Sequence, residues 1–175
     1  MARYGNQQIP FIENMKAKPE DPYGIAKVAS EDTLKLLSEV HGMNYNIAVP
    51  HNIVGPNQKY DDPFRNVDSI MINLMLQNRQ PIIYGDGEQK RSFSDVDDCI
   101  YSIDKLATDP NITSQIVNIG PEDNFITINE LFKKISNQLQ FNQEPEYFKD
   151  RINEVKLANC SADKAKKDAE KGSMR

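Results

Sequence analysis

Residues 21 to 50 read DPYGIAKVASEDTLKLLSEVHGMNYNIAVP and carry the punctuation of one long helix followed by one strand. Asp21 is an N-cap residue, Pro22 brings a preset φ to the first helical position, and Gly42 marks the stop. Between them Ile25, Val28, Ala29, Leu36, Leu37 and Val40 recur at helical spacing and predict an apolar stripe. The segment NYNIAVP (44–50) then reads as a short buried strand ended by Pro50. Inside the helix, Tyr23 and Lys27 lie four residues apart and so share a face. A free phenol ionises near pH 10. A neighbouring ammonium favours the phenolate and brings the group toward the range useful for acid–base catalysis. Such pairs also occur on many ordinary helix surfaces, so this one alone identifies nothing.

Outward from that stretch the pattern continues in short elements. HNIVGPNQKYDDP is a loop rich in Gly, Pro and Asn, too long for a simple turn. NVDSIMINLMLQN (66–78) predicts a helix with Ile70, Met71, Leu74 and Met75 on its apolar side. QPIIYG and KRSFS flank GDGEQ, a turn between two short strands. SDVDDCIYSIDKLATD (94–109) predicts a helix whose Asp95, Asp97 and Asp98 sit at its positive end, a better account of them than a metal site. SQIVNIG (114–120) is a strand. FITINELFKKISNQL is an amphipathic helix capped at Thr127 or Asn129, and EPEYF and EVKLANC are extended. Ser161 caps a last polar segment that frays. Helix and strand alternate, which predicts an α/β protein.

Composition narrows the classes. With 175 residues the chain can build one domain with a real core, and it is short for two. A net charge of -5 argues against non-specific nucleic-acid binding. No run approaches the roughly 18 apolar residues of a membrane span, and no secretory signal is visible, so the cytoplasm is the default location. Cys99 and Cys160 stand far apart and predict buried thiols in a reducing compartment. His41 and His51 make no metal-ligand cluster, and His41 fits a helix end.

Four stretches together resemble, in order, the extended short-chain dehydrogenase/reductases, and within them the NAD-dependent nucleotide-sugar epimerase/dehydratase family. They are KPEDPYGIAKVASE with its Tyr-x-x-x-Lys pair, VPHNIVGPNQ, IIYGDGEQKRSFSDVDDC, and DRINEVKLANCSADKAKK. The resemblance implies an α/β fold. The chain would be the C-terminal portion of an NAD(P)-binding Rossmann-type protein with its small substrate-binding subdomain. Residues 1–60 would close the Rossmann unit and 61–175 would be mainly substrate-binding, with 165–175 disordered. The implied chemistry is epimerisation of a UDP-sugar at C4 through NAD, as in UDP-glucose 4-epimerases. UDP-sugar decarboxylases and dTDP-sugar dehydratases of the same family are the alternatives.

The resemblance also implies roles. Tyr23 would exchange a proton with the sugar hydroxyl, and Lys27 would tune it and bind the nicotinamide ribose. Pro50 would lie near the nicotinamide and Asn52 on the diphosphate side of the substrate. Arg91 and Arg151 would hold the diphosphate, where a guanidinium's fork suits phosphate. Glu154 would accept from the nucleotide ribose. The helix bearing Tyr23 would pair with a second subunit in a homodimer. No Gly-x-x-Gly-x-x-Gly follows a strand, and counting back from Tyr23 for the family's serine runs off the chain. The expectation is therefore a piece of such an enzyme, inactive alone.

Overall fold

A computed structural model of the chain describes residues 2–62, 66–121, 125–151 and 155–167. The elements run α1 (Pro22–His41), β1 (Asn46–Pro50), β2 (Ile53–Val54), α2 (Val67–Leu76), β3 (Ile82–Tyr84), β4 (Lys90–Ser92), β5 (Ser94–Asp95) and α3 (Val96–Thr108). They continue as β6 (Gln115–Ile119), β7 (Phe125–Thr127), α4 (Ile128–Leu139), β8 (Glu146–Phe148) and β9 (Leu157–Ala158). Both ends of α1 are closed as its sequence predicts. The Asp21 carboxylate accepts from the Gly24 amide at 2.5 Å, and Gly42, at φ 65°, exits through the left-handed region and donates to the Ser38 carbonyl at 2.9 Å.

β1 pairs in parallel with β6, Asn46 opposite Gln115 and Pro50 opposite Ile119. Parallel neighbours need a long crossover, and α3 lies on that path and packs against β1. Cys99 and Leu106 of α3 meet Val117 and Ile119 of β6, with Ala48, Ile53 and Ala165 at the margin. The acidic start of α3 works as a cap, Asp95 accepting from the Asp97 amide at 2.8 Å. Among the described residues no group of three His, Cys, Asp or Glu side chains is placed to hold a metal, and no helix is long and apolar enough to cross a membrane. Residues 163–167 are helical, and 168–175 lie outside the described residues.

A second cluster joins α2 to α4. Met71 and Met75, one turn apart, pack with Ile83 against Ile128, Leu131 and Phe132. Thr127 and Glu130 form a reciprocal capping box at 2.9 and 2.8 Å, so the cap is Thr127 rather than Asn129. The two strands flanking GDGEQ do not pair with each other. β3 joins β8 in parallel, while β4 lies between β7, antiparallel, and β9, parallel. The turn explains this. Gly85 and Gly87 take φ of 71° and 75°, and a Cβ on either would sit 2.1 Å from a side-chain oxygen of Asp150 or Asn129. Later parts of the chain fill the turn and draw the two strands toward different partners.

Residues 2–20 have almost no regular structure but are firmly held. Tyr4 and Phe11 are fully buried and stack at 4.9 Å; the Tyr4 hydroxyl donates to Asn118 at 2.7 Å. They join Val49, Ala158 and Cys160 in a third cluster. Gly24 lets α1 approach this segment, since a Cβ there would meet the Ala2 carbonyl at 2.6 Å. The apolar stripe of α1 is otherwise open: Ile25, Leu36 and Val40 are each more than half exposed.

His51, just past β1, is fully buried and neither ring nitrogen has a hydrogen-bond partner among the described residues. Burial pushes its imidazole from the ordinary 6.5 down to about 3. The unfolded chain takes up a proton below pH 6.5 that the folded chain refuses, so stability falls as pH drops from 6.5 toward 3. Urea unfolding at pH 7 and pH 5 should show a larger acid loss for the native chain than for His51→Phe. Equal losses would remove His51 as the cause.

Candidate functional site

The helix start presents Tyr23 openly. Its side chain is 63% exposed, and the Lys27 ammonium stands over the ring, 5.2 Å from the centroid. The i, i+4 spacing therefore yields a cation on the face of an accessible phenol ring. Asp21 fixes the first turn below it.

At the other end of β1 the chain turns sharply. Asn52 takes φ 38°, a left-handed conformation that asparagine tolerates better than most residues. Its side-chain amide donates to the Ser92 carbonyl at 2.7 Å, and its own carbonyl accepts from the Ser94 amide at 3.1 Å. β2 then pairs with β5, and the Asn66 amide bonds the Ile53 carbonyl, which anchors the start of α2 at the same place.

These anchors wall a cavity of about 520 Å³ between α2, β3 and β4. Asn52, Arg91 and Arg151 all line it, as do Tyr84, Phe93 and Ile82. Arg91 is oriented by its own backbone region: one guanidinium nitrogen donates to the Lys90 and Lys156 carbonyls at 2.8 and 3.2 Å. The Arg151 guanidinium stands over Tyr84, its central carbon 4.0 Å from the ring centroid. Among the described residues a third arginine, Arg79, and two carboxylates, Asp61 and Asp62, also line it. Three cations against two anions among the described residues, with aromatic walls, make a site that favours an anionic ligand with a flat, partly apolar portion.

Of the residues expected to act, the structure thus gathers Asn52, Arg91 and Arg151 into one cavity. Tyr23 and Lys27 meet each other but do not line it. Pro50 is half-buried at the end of β1, also outside its walls, and Glu154 lies outside the described residues. Sequence reasoning missed Arg79 and the placing of Arg151 over Tyr84. Arg79 belongs to none of the recognisable stretches, so nothing local marks it.

Residues 2–120 match the profile of the NAD dependent epimerase/dehydratase family. The chain belongs to that family. Its relatives include a Methanocaldococcus jannaschii protein with the provisional name UDP-glucose 4-epimerase, 38% identical over 157 residues, which are 88% of this chain and 49% of that one. A Bacillus cytotoxicus UDP-N-acetyl-alpha-D-glucosaminuronate decarboxylase is 34% identical over 126 residues, 69% of this chain and 38% of its own. Among solved structures, the UDP-glucose 4-epimerase of Thermotoga maritima with UDP-glucose superposes with a TM-score of 0.87 at 30% identity, covering 95% of this chain and 53% of its own. The fold is accordingly the Rossmann-type α/β fold of these epimerases. The chain spans about half the length, or less, of the relatives it matches.

Proposed function

We propose that this chain carries the substrate side of a UDP-sugar 4-epimerase. The carrying observation is the cavity in which Asn52, Arg91 and Arg151 converge beside Tyr84. Arg91 and Arg151 hold the diphosphate, Asn52 contacts the diphosphate side of the substrate, and Glu154 accepts from the nucleoside ribose. Tyr23 exchanges a proton with the sugar hydroxyl, with Lys27 beside it. The decarboxylase among the relatives supports a second reading, UDP-sugar decarboxylation on the same scaffold, with the same binding residues. A dTDP-sugar dehydratase is a further alternative within the family.

The residues present fit one end of NAD. The Tyr23 ring and Lys27 ammonium stand open as a pair, and these with Pro50 would hold the nicotinamide end. No Gly-x-x-Gly-x-x-Gly for the pyrophosphate exists in the sequence. When bound, NAD supplies the acceptor and donor of a hydride. The chain by itself is thus an inactive piece of the catalytic apparatus, with residues 1–60 on the dinucleotide side and 61–175 mainly on the substrate side. Within the later stretch, α3 and β6 return to β1. The open apolar face of α1, with Ile25, Leu36 and Val40, supports a homodimer through this helix.

UDP titrated into the isolated chain tests the reading. Binding is expected, weakening as salt rises, and Arg91→Met should cost about tenfold, the scale of one charge-assisted hydrogen bond. No binding of UDP by the native chain would refute the assignment.

A further inference from the structure

We infer that Arg79 reads hydrogen-bond acceptors on the nucleobase, making it a specificity-determining residue at the far end of the cavity. The inference rests on the reading of this cavity as the nucleoside-diphosphate site. Asn66 ties the start of α2 to Ile53, beside Asn52. From there α2 runs ten residues, about 15 Å. The chain then reverses at Asn78, φ 56°, and the Arg79 amide returns to the Leu74 carbonyl at 2.9 Å. Arg79 therefore lines the cavity at the end of α2 opposite to Asn52, and Ile82 follows it there. With Asn52, Arg91 and Arg151 on the diphosphate side, and the sugar facing Tyr23 outside this lining, the group that reaches Arg79 is the base.

The chemistry of Arg79 suits that position. A guanidinium has five N–H donors and no acceptor. Among the described residues Arg79 spends one, on the Gln77 side chain at 3.3 Å, and no carboxylate pairs with it within 4.0 Å. Arg91 differs, being committed to backbone carbonyls beside the diphosphate position. Unspent donors near the apolar Ile82 match a ring bearing carbonyl oxygens, where a planar fork gives geometric selection that a point charge does not.

The test uses the chain as it is, titrated calorimetrically with UDP and with ribose 5-diphosphate, which lacks the base. Arg79→Met should weaken UDP about tenfold and leave ribose 5-diphosphate within about twofold. Arg79→Lys should recover little of the UDP loss, because the fork is gone. Arg91→Met should weaken both ligands alike. Equal losses of both ligands in Arg79→Met would make Arg79 a phosphate contact and overturn the inference. Unchanged UDP affinity would overturn it too. If native chain binds ribose 5-diphosphate as well as UDP, base reading fails while the diphosphate assignment stands. If it binds neither, the site assignment fails and takes this inference with it.

Discussion

Tyr23→Phe should lower UDP-hexose turnover by about 10²–10⁴-fold, the usual scale of a positioned proton-transfer group. Turnover would be measured in a chimera in which this chain replaces the matching half of a full-length relative, because no Gly-x-x-Gly-x-x-Gly occurs in this sequence. The substitution removes one hydroxyl and keeps the ring, the cation contact from Lys27 and the cap from Asp21. Tyr23 is 63% exposed, so losing its hydroxyl leaves no buried partner unsatisfied and the fold should not notice. UDP affinity should also hold, since Tyr23 lies outside the cavity lined by Asn52, Arg91 and Arg151. A loss confined to kcat with unchanged UDP binding is the signature of a proton carrier. A decrease below tenfold would exclude that role for Tyr23.

Local chemistry explains what was legible beforehand. The ends of α1 and the acidic cap of α3 are each decided within about four residues, so the sequence displays them directly, whereas the cap of α4 stays open between Thr127 and Asn129 until the structure closes the box with Glu130. Asn52, Arg91 and Arg151 were named through recognisable stretches, and their convergence is a tertiary fact that no spacing contains. The stripe of α1 shows the limit differently. Periodicity says which residues share a face, but what covers that face is decided elsewhere, and here Leu36 and Val40 remain open. GDGEQ marked a turn correctly. The partners of its flanking strands were hidden because Asp150 and Asn129, distant in sequence, occupy the turn. Glu31 gave no signal at all, being one acid on a charged helix.

That residue carries the largest expected effect on stability. Glu31→Ala should cost about 3–5 kcal/mol of unfolding free energy in urea, the range for breaking a buried ion pair from one side. Glu31 meets Arg3 at 3.0 Å, and their side chains are 9% and 6% exposed. Removing the carboxylate strands a guanidinium that water does not reach, so the cost is mainly the uncompensated charge. The double variant Arg3→Met with Glu31→Leu should recover most of the loss, because a desolvated pair often contributes little net stability over apolar side chains of similar size. A single-variant loss below about 1 kcal/mol, typical of an exposed pair, would show that the pair is open to solvent in solution. The consequence reaches the site. Tyr4, which accepts from Arg3, holds the first segment against β6 through Asn118, and Ala2 of that segment abuts Gly24, the residue after Tyr23 on the way to Lys27. The ion pair, buried inside an otherwise open helix, therefore fixes where α1 stands, and with it where the phenol of Tyr23 can meet a substrate.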